Sequence, residues 1–475
     1  MPRTRIPLVG SLTSRDQTNT ALFGSSQRDQ YFEDCVFHVT NNSVSGKVTI
    51  KVGPRQLYSE FTEPTSASGN GTCCMEWRAK GGGTRFYAFG STNSTIYLNS
   101  TSLGAITGLC IHMSETIING TANAVFVSDA NRVWMYADGG SLTEVTDTDA
   151  PWKTPAETLT GNFAWMDGYG FVMTTKGSIW QTELNSVTTY PASPYAYVTA
   201  QEYPDAGIGV ARYRNFIIGF SQYSMEFFSN TGNATGSVLT RVASMAKQIG
   251  LVNQNCLVNV MDTLAFIGQD NRVFGVYMLN GGSPEKISTQ VVDYWLDNAT
   301  STALKLHVLA SHGRQFLAIT SAVSTKNCYV YDFQTKIWQI WTLEYELRHS
   351  DVAGGGMVYV GHEITKAAYI GTGFATALMQ VGPFDADTDQ NKHLQVLHVL
   401  GNRAVSGTVS VSWADDDATT FSTARSISMT VAKPRTHRCG TFAKRIFRIT
   451  GISTADTNRE QLLEAIELEY SVLRA

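Results

Sequence analysis

The segment His362-Glu363-Ile364-Thr365-Lys366 falls one residue short of the zinc-peptidase pattern, which sets two histidines one helical turn apart. Lys366 takes the place of the second imidazole, and the flanking residues read as strand, so no zinc is expected there. Asp385, Asp387 and Asp389 have the opening spacing of a calcium-binding EF-hand loop. Gln390 replaces the turn glycine, however, and Val396 stands where a bidentate glutamate is required, so this stretch reads as a solvated linker. The runs Gly81-Gly82-Gly83 and Gly354-Gly355-Gly356 lead into strands, which leaves no helix N-terminus to hold a phosphate. Neither a G-x-x-x-x-G-K-[ST] phosphate loop nor a G-x-S-x-G nucleophile elbow occurs. The nine histidines are dispersed, and none stands near a convincing carboxylate or cysteine partner in sequence. No catalytic, cofactor-binding or metal-ligating residue is assigned, and no cofactor is expected.

The seven cysteines are Cys35, Cys73, Cys74, Cys110, Cys256, Cys328 and Cys439; they are odd in number and form no C-x-x-C pair. Such usage fits reduced thiols in a chain made in a cytoplasm, with Cys73 and Cys74 as ordinary core residues. The first residues offer only Ile6-Pro7-Leu8-Val9 where a secretion signal needs a longer apolar core. The Asn-x-Ser/Thr sequons at Asn41, Asn70, Asn93, Asn99, Asn119, Asn233 and Asn298 therefore read as turn residues of a β protein. Trp134, Trp180, Trp338 and Trp341 are candidates for a sugar-binding surface, but we read them as inward strand residues. The hairpin from Trp413 through Asp416 to Phe421 resembles the Asp-box turn of sialidases, in which an Asp caps backbone N–H groups. Ala414 and Ala418 replace the usual Ser and Gly of that box, and the motif is a folding device without catalytic meaning.

The elements that must carry these residues follow from composition and repetition. Of 475 residues, 43% are hydrophobic, 11% aromatic and 16% charged, which suffices for a large core and excludes disorder. A net charge of −4 argues against a basic surface that grips nucleic acid. No stretch approaches the ~20 apolar residues of a membrane span, so this chain alone is not expected to insert into a membrane. A short apolar run, a turn and a second apolar run recur seven times, beginning near Phe86, Val125, Phe171, Phe216, Leu264, Phe316 and Met357. Asn131-Arg132-Val133-Trp134 in one copy returns as Asn271-Arg272-Val273-Phe274 in another. Each copy is rich in β-branched and aromatic residues with Gly, Ser, Asn or Asp at the break, the signature of a hairpin.

A spacing of about 40–50 residues with several strands per unit is that of a β-propeller. Radial packing covers both faces of each sheet and leaves only short edges. The expected fold is all-β, with a propeller of six or seven blades over residues 61–384. Five alternating strands beyond the acidic stretch predict a C-terminal β-sandwich-like domain at 385–475. Residues 1–60 read as a polar arm followed by strands that join that domain.

The segments PRTRIPLVGSLTSRDQ and DQYFEDCVFHV near the start resemble the N-termini of tail nozzle (tail hub) proteins of short-tailed bacteriophages, also called packaged-DNA stabilisation proteins. GTVSVSWADDDATTF, RCGTFAKRIFRIT and LLEAIELEY near the end resemble the same family more strongly. There the block reads as a strand, an acidic hairpin, a Gly-x-x-x-[KR]-R-x-F-R strand and an acidic closing strand; Gly440, Lys444, Arg445, Phe447 and Arg448 fill that pattern. The resemblance covers roughly the first 60 and last 90 residues by motif, and the middle by architecture alone. It implies a structural virion protein without enzymatic activity, made in the host bacterial cytoplasm and assembled as a homo-hexamer below the portal and adaptor. It further implies a channel for double-stranded DNA held without sequence specificity, help in retaining the packaged genome, and attachment of tail fibres or spikes. Net acidity agrees with a lumen that lets DNA slide rather than bind. The alternative is a carbohydrate-binding or carbohydrate-cleaving propeller, which needs paired carboxylates about 5–10 Å apart in a central pocket.

Overall fold

Each apolar hairpin of the repeat supplies the second and third strands of an antiparallel blade, and the described residues of the computed structural model form seven such blades. The structure describes residues 3–9, 30–41, 48–60, 70–81, 83–90, 94–192, 196–200, 203–233, 236–270, 273–321, 326–353, 356–360, 368–402, 407–415, 420–452 and 462–473. The first strands of the blades, in order, are Gly71–Glu76, Cys110–Ile118, Leu159–Met166, Gly207–Tyr213, Leu257–Val260, Lys305–Ser311 and His349–Ala353. Together they line the central channel. Outermost strands are short, as in Leu142–Glu144 and Ser283–Lys286, and Pro284 further blunts the latter edge.

The outermost strand of blade seven does not follow its neighbours in sequence. Gln56–Glu60 pairs antiparallel with Ala368–Phe374, so a strand from before the first blade closes the ring. Two-residue turns set the register of the first hairpins. Asn119 and Gly120, at φ 48° and 81°, join Ile118 to its partner Thr121. This is the left-handed turn whose twist matches that of paired strands, and asparagine and glycine tolerate it best. The sequons at Asn99 and Asn119 are thus turn positions, whereas Asn93 lies outside the described residues.

The core is divided wedge by wedge between blades. Phe86 and Phe126, with ring centroids 5.2 Å apart, fill the wedge between blades one and two. Trp180 stacks on Tyr197 at 4.6 Å in the next wedge, and Trp134 is half-buried in the first. Trp338 donates to the Ile287 carbonyl at 2.9 Å, while the fully buried Trp341 donates to the Cys35 carbonyl at 3.1 Å. These four tryptophans are packing residues spread over three blades and form no common surface.

A β-sandwich is built from both ends of the chain. One sheet runs Cys35–Asn41, Val48–Pro54, Leu463–Val472, Lys392–Gly401 and Arg435–His437, with Arg3–Pro7 also paired to Leu463–Val472. The facing sheet runs Gln30–Glu33, Ala377–Phe384, Arg445–Ile452, Thr408–Asp415 and Arg425–Ser428. Phe37, Val52, Met379, Leu397, Val411, Phe447 and Ile466 fill the space between them. Residues 3–9 are therefore no free arm: Arg3 pairs with Glu469, and Leu8 and Val9 are buried. Gln56–Glu60 belongs to the ring and Ala377–Phe384 to the sandwich, each one strand across the boundaries expected at 61 and 384.

Ring and sandwich share a sheet. Glu33 pairs in parallel with Ile340 of the sixth blade's last strand, Ile337–Thr342. Arg55, 1% exposed, fastens this seam. Its Nε donates to Asp34 Oδ1 at 2.6 Å, Nη2 to Glu344 Oε1 at 2.8 Å, and Nη1 to the Gln56 carbonyl at 2.9 Å. Asp34 Oδ1 also accepts from the Thr342 amide at 2.8 Å, and Glu344 Oε2 accepts from the Tyr58 amide at 2.9 Å. Every carboxylate taken from water here is repaid in charge-assisted hydrogen bonds.

Candidate functional site

The first strands of all seven blades surround a channel of about 1420 Å³. Inward-facing positions on these strands cannot all be apolar, because one side meets the open axis. Arg78, Arg212, Arg214 and Arg314 accordingly stand among the lining residues of the strands and their adjoining turns together with Glu76, Glu115, Asp262 and Asp351. Positive and negative groups balance, and no basic stripe is present among the described lining residues.

Blade one is held from both sides at this wall. Asp351 of blade seven accepts the Glu76 amide at 2.8 Å, and Glu115 of blade two accepts the Ala79 amide at 3.1 Å. Two channel carboxylates, the pairing a glycosidase would need, are thus engaged in fixing the hairpin loop of blade one. Burial, with a smaller contribution from Asp351, holds the Glu115 carboxyl above its ordinary value. A carboxyl raised in the folded state stabilises most below its unfolded pKa of about 4.3, and this contribution is lost as pH rises through the raised value. Glu115→Gln keeps an acceptor for Ala79 without the charge. It is expected to gain a few tenths of a kcal/mol at pH 7, after solvent screening, and nothing at pH 3.5. Chemical denaturation at the two pH values checks this; a Gln variant less stable at pH 7 would refute the cost that burial places on the Glu115 charge.

Deeper in the wall, histidines and thiols meet that are far apart in sequence. Cys73 and Cys74 flank His349, whose Nδ1 lies 3.6 Å from Cys74 Sγ. His112 approaches the Phe163 carbonyl at 3.2 Å through Nε2, and burial pushes its pKa down. Burial opposes protonation of His349, but the adjacent Cys73 sulfur outweighs it and holds the imidazole above its usual range. This grouping has no sequence signal, since residues 73, 110, 112 and 349 come from three blades. All seven cysteines are free and buried, and no metal-holding group of three ligands occurs among the described residues.

The other motifs resolve into structure. Lys392, fully buried, donates from Nζ to the carbonyls of Thr388, Gln390 (2.8 Å) and Ala443 (2.8 Å). Two of these carbonyls belong to the loop with EF-hand-like spacing, so the cation held there is the lysine's own ammonium. Asp385 Oδ1 instead closes a local turn by accepting the Asp387 amide at 3.0 Å. Of the Asp-box-like hairpin, Ser422 donates its amide to the Trp413 carbonyl at 2.8 Å, while Asp416 and Ala418 lie outside the described residues. The His362–Lys366 segment, Gly82, Gly354, Gly355, Asn271 and Arg272 also lie outside them. In the terminal motif, Arg445 pairs through Nη2 with Asp415 Oδ2 at 2.7 Å and lies over the Phe442 ring at 4.2 Å.

A seven-bladed β-propeller, closed by an N-terminal strand and carrying a sandwich on its sixth blade, is the class that fold and channel define. A family described as "Bacteriophage P22 Gp10, beta-propeller" matches residues 83–367, more than half of the chain, and the chain belongs to that family of phage tail hub proteins. The tail hub protein gp10 of Salmonella phage P22 is 24% identical over 258 residues, which is 54% of this chain and 46% of that protein. The match thus spans about half the length of that relative. The family match covers the propeller, whereas the terminal motifs that carry the sequence resemblance lie outside it. Among solved structures, a crystal structure of a mitotic checkpoint complex has a TM-score of 0.38 at 9% identity, over 67% of this chain and 91% of the other. The computationally designed Ika8 protein has a TM-score of 0.38 at 10% identity, over 74% and 99%. Likeness at this level carries no functional argument.

Proposed function

We propose that this chain is the subunit of a homo-hexameric tail hub, below the portal and adaptor of a short-tailed phage, through which DNA leaves the virion. Membership in the tail hub family carries this reading. Duplex DNA passes along the axis of the hexamer, not through the propeller, whose channel of about 1420 Å³ is only somewhat larger than a small-molecule cleft (about 300–1,000 Å³). Net negative charge on every subunit supports a lumen that does not adsorb phosphate. Of the arm expected from Pro2 to Gln30, the segment 10–29 between the two paired strands faces the adaptor together with the C-terminal domain, and the propeller offers surfaces for fibres or spikes. The seam at Arg55 suits such a part, because ring and sandwich then transmit load as one body.

Electron microscopy of the purified chain mixed with its connector is expected to show six-fold rings. Deleting residues 10–29 spares both flanking strands, so it is expected to abolish attachment while the ring stays folded. Unchanged attachment would remove the arm from the docking surface, and rings of another order would overturn the hexamer.

A further inference from the structure

Cys73 and Cys110 occupy equivalent places near the starts of the first strands of blades one and two. Both stand at irregularities of register, between Gly71 and Cys73 and between Cys110 and His112, where a bulge re-aims the side chain. The preceding residues converge as well. A Cβ placed on Gly90 would lie 2.6 Å from Thr72 Cγ2 and 2.7 Å from Leu109 Cδ2, so the two strand starts run side by side there. Both thiols belong to one apolar cluster, and both are free and buried; Cys110 Sγ donates to the His112 carbonyl at 3.5 Å, and each sulfur shifts the ionisation of the other. From blade seven His349 reaches the residue next to Cys73, its Nδ1 lying 3.4 Å from the Cys74 amide and 3.6 Å from Cys74 Sγ, and Cys74, His112 and His349 form the channel wall there.

We propose that Cys73 and Cys110 are a latent dithiol that hydrogen peroxide converts into a disulfide joining blade one to blade two. The Cys73 thiol gives its proton to His349, its sulfur attacks one peroxide oxygen, the O–O bond breaks, and the departing hydroxide takes that proton from His349 to leave as water. The resulting sulfenic acid is attacked by the Cys110 sulfur, the S–O bond breaks, the S–S bond forms, and a second water leaves with the Cys110 proton. Two thiols lose two electrons, and one peroxide becomes two waters. Peroxide is small enough to enter by the channel, whereas a bulky disulfide such as oxidised glutathione is not. Cys74 is not the partner, because neighbouring Cα atoms stand 3.80 Å apart, below the usual ~4.4–6.8 Å span of a disulfide. The link would tie down the blade that Asp351 and Glu115 already hold from either side, in a protein that folds in a reducing compartment and would work outside it.

The full chain is incubated with hydrogen peroxide, denatured, alkylated and weighed. Five of the seven thiols are expected to remain alkylatable, and a peptide containing Cys73 is expected linked to one containing Cys110. The melting temperature is expected to rise by a few degrees, roughly as loop closure predicts, and to fall back on reduction. His349→Asn is expected to slow cross-linking about tenfold with folding unaltered, and Cys110→Ser to abolish it. Seven alkylatable thiols after treatment, a Cys73–Cys74 link, or sulfinic acid at Cys73 without a cross-link would each overturn the proposal.

Discussion

Replacing Arg55 by alanine is expected to cost about 3–5 kcal/mol, the loss typical when one partner is removed from a buried ion pair. The guanidinium is almost fully enclosed and satisfies Asp34 and Glu344 together, so its loss leaves two carboxylates facing a low-dielectric seam. Burial already pushes the Asp34 carboxyl up against the pull of Arg55. Without Arg55 that rise is larger, and a raised acid destabilises the fold increasingly as pH climbs through its folded value. The deficit of the variant should therefore be smallest near pH 4 and largest at pH 7, as read from denaturation midpoints. Because Arg55, Asp34 and Glu344 tie the sandwich to blades six and seven, the variant should also unfold in two steps where the parent unfolds in one. Asp34→Asn, Arg55→Met and Glu344→Gln combined remove the charges together and should recover most of the loss. A pH-independent deficit, or a single transition in Arg55→Ala, would show that the seam is held by packing and strand pairing alone.

None of that seam was visible in the sequence, and the reason is physical. Residues 34, 55 and 344 are ordinary polar positions until three distant strands meet. The second and third strands of each blade were legible, because neighbouring blades cover them on both faces. Residues 124–127 and 216–220 accordingly read as unbroken runs without a polar side chain. First strands were not, since one side meets the channel: Cys110–Ile118 mixes His112, Ser114 and Glu115 into its pattern. Outer strands such as Ser283–Lys286 carry almost no apolar signal at all. Likewise, closure of blade seven by Gln56–Glu60 and pairing of Arg3 with Glu469 are contacts between chain ends, which local periodicity does not encode. The channel grouping of Cys73, Cys110 and His349 escaped for the same reason.

Arg445 poses the converse case, a residue whose motif was recognised while its role was not. Its guanidinium is buried between Phe442 and Trp413, bound to both oxygens of Asp415 and to the Cys439 carbonyl at 2.6 Å. Asp415 is unequally placed, with a third of its side chain exposed. The asymmetry predicts which partner matters more. Once Arg445 is gone, water can reach Asp415, and the cost of Arg445→Ala is mainly a cavity beside two aromatic rings, about 3 kcal/mol. Once Asp415 is gone, the cation stays buried with a carbonyl for company, so Asp415→Ala should cost as much or more although it deletes fewer atoms. Asp415→Asn keeps one acceptor and should lose about 1.5–3 kcal/mol, the value of hydrogen bonds to a charged group. A double-mutant cycle over Arg445→Met and Asp415→Asn would then show a coupling well above the ~0–1 kcal/mol of surface pairs. Arg445–Ile452 pairs with Ala377–Phe384, which pairs with Gln30–Glu33 beside blade six, so this strand carries the sandwich onto the ring. Coupling near zero would mean that the motif is retained for its stacked rings, and the acidic hairpin would be left free to meet a partner.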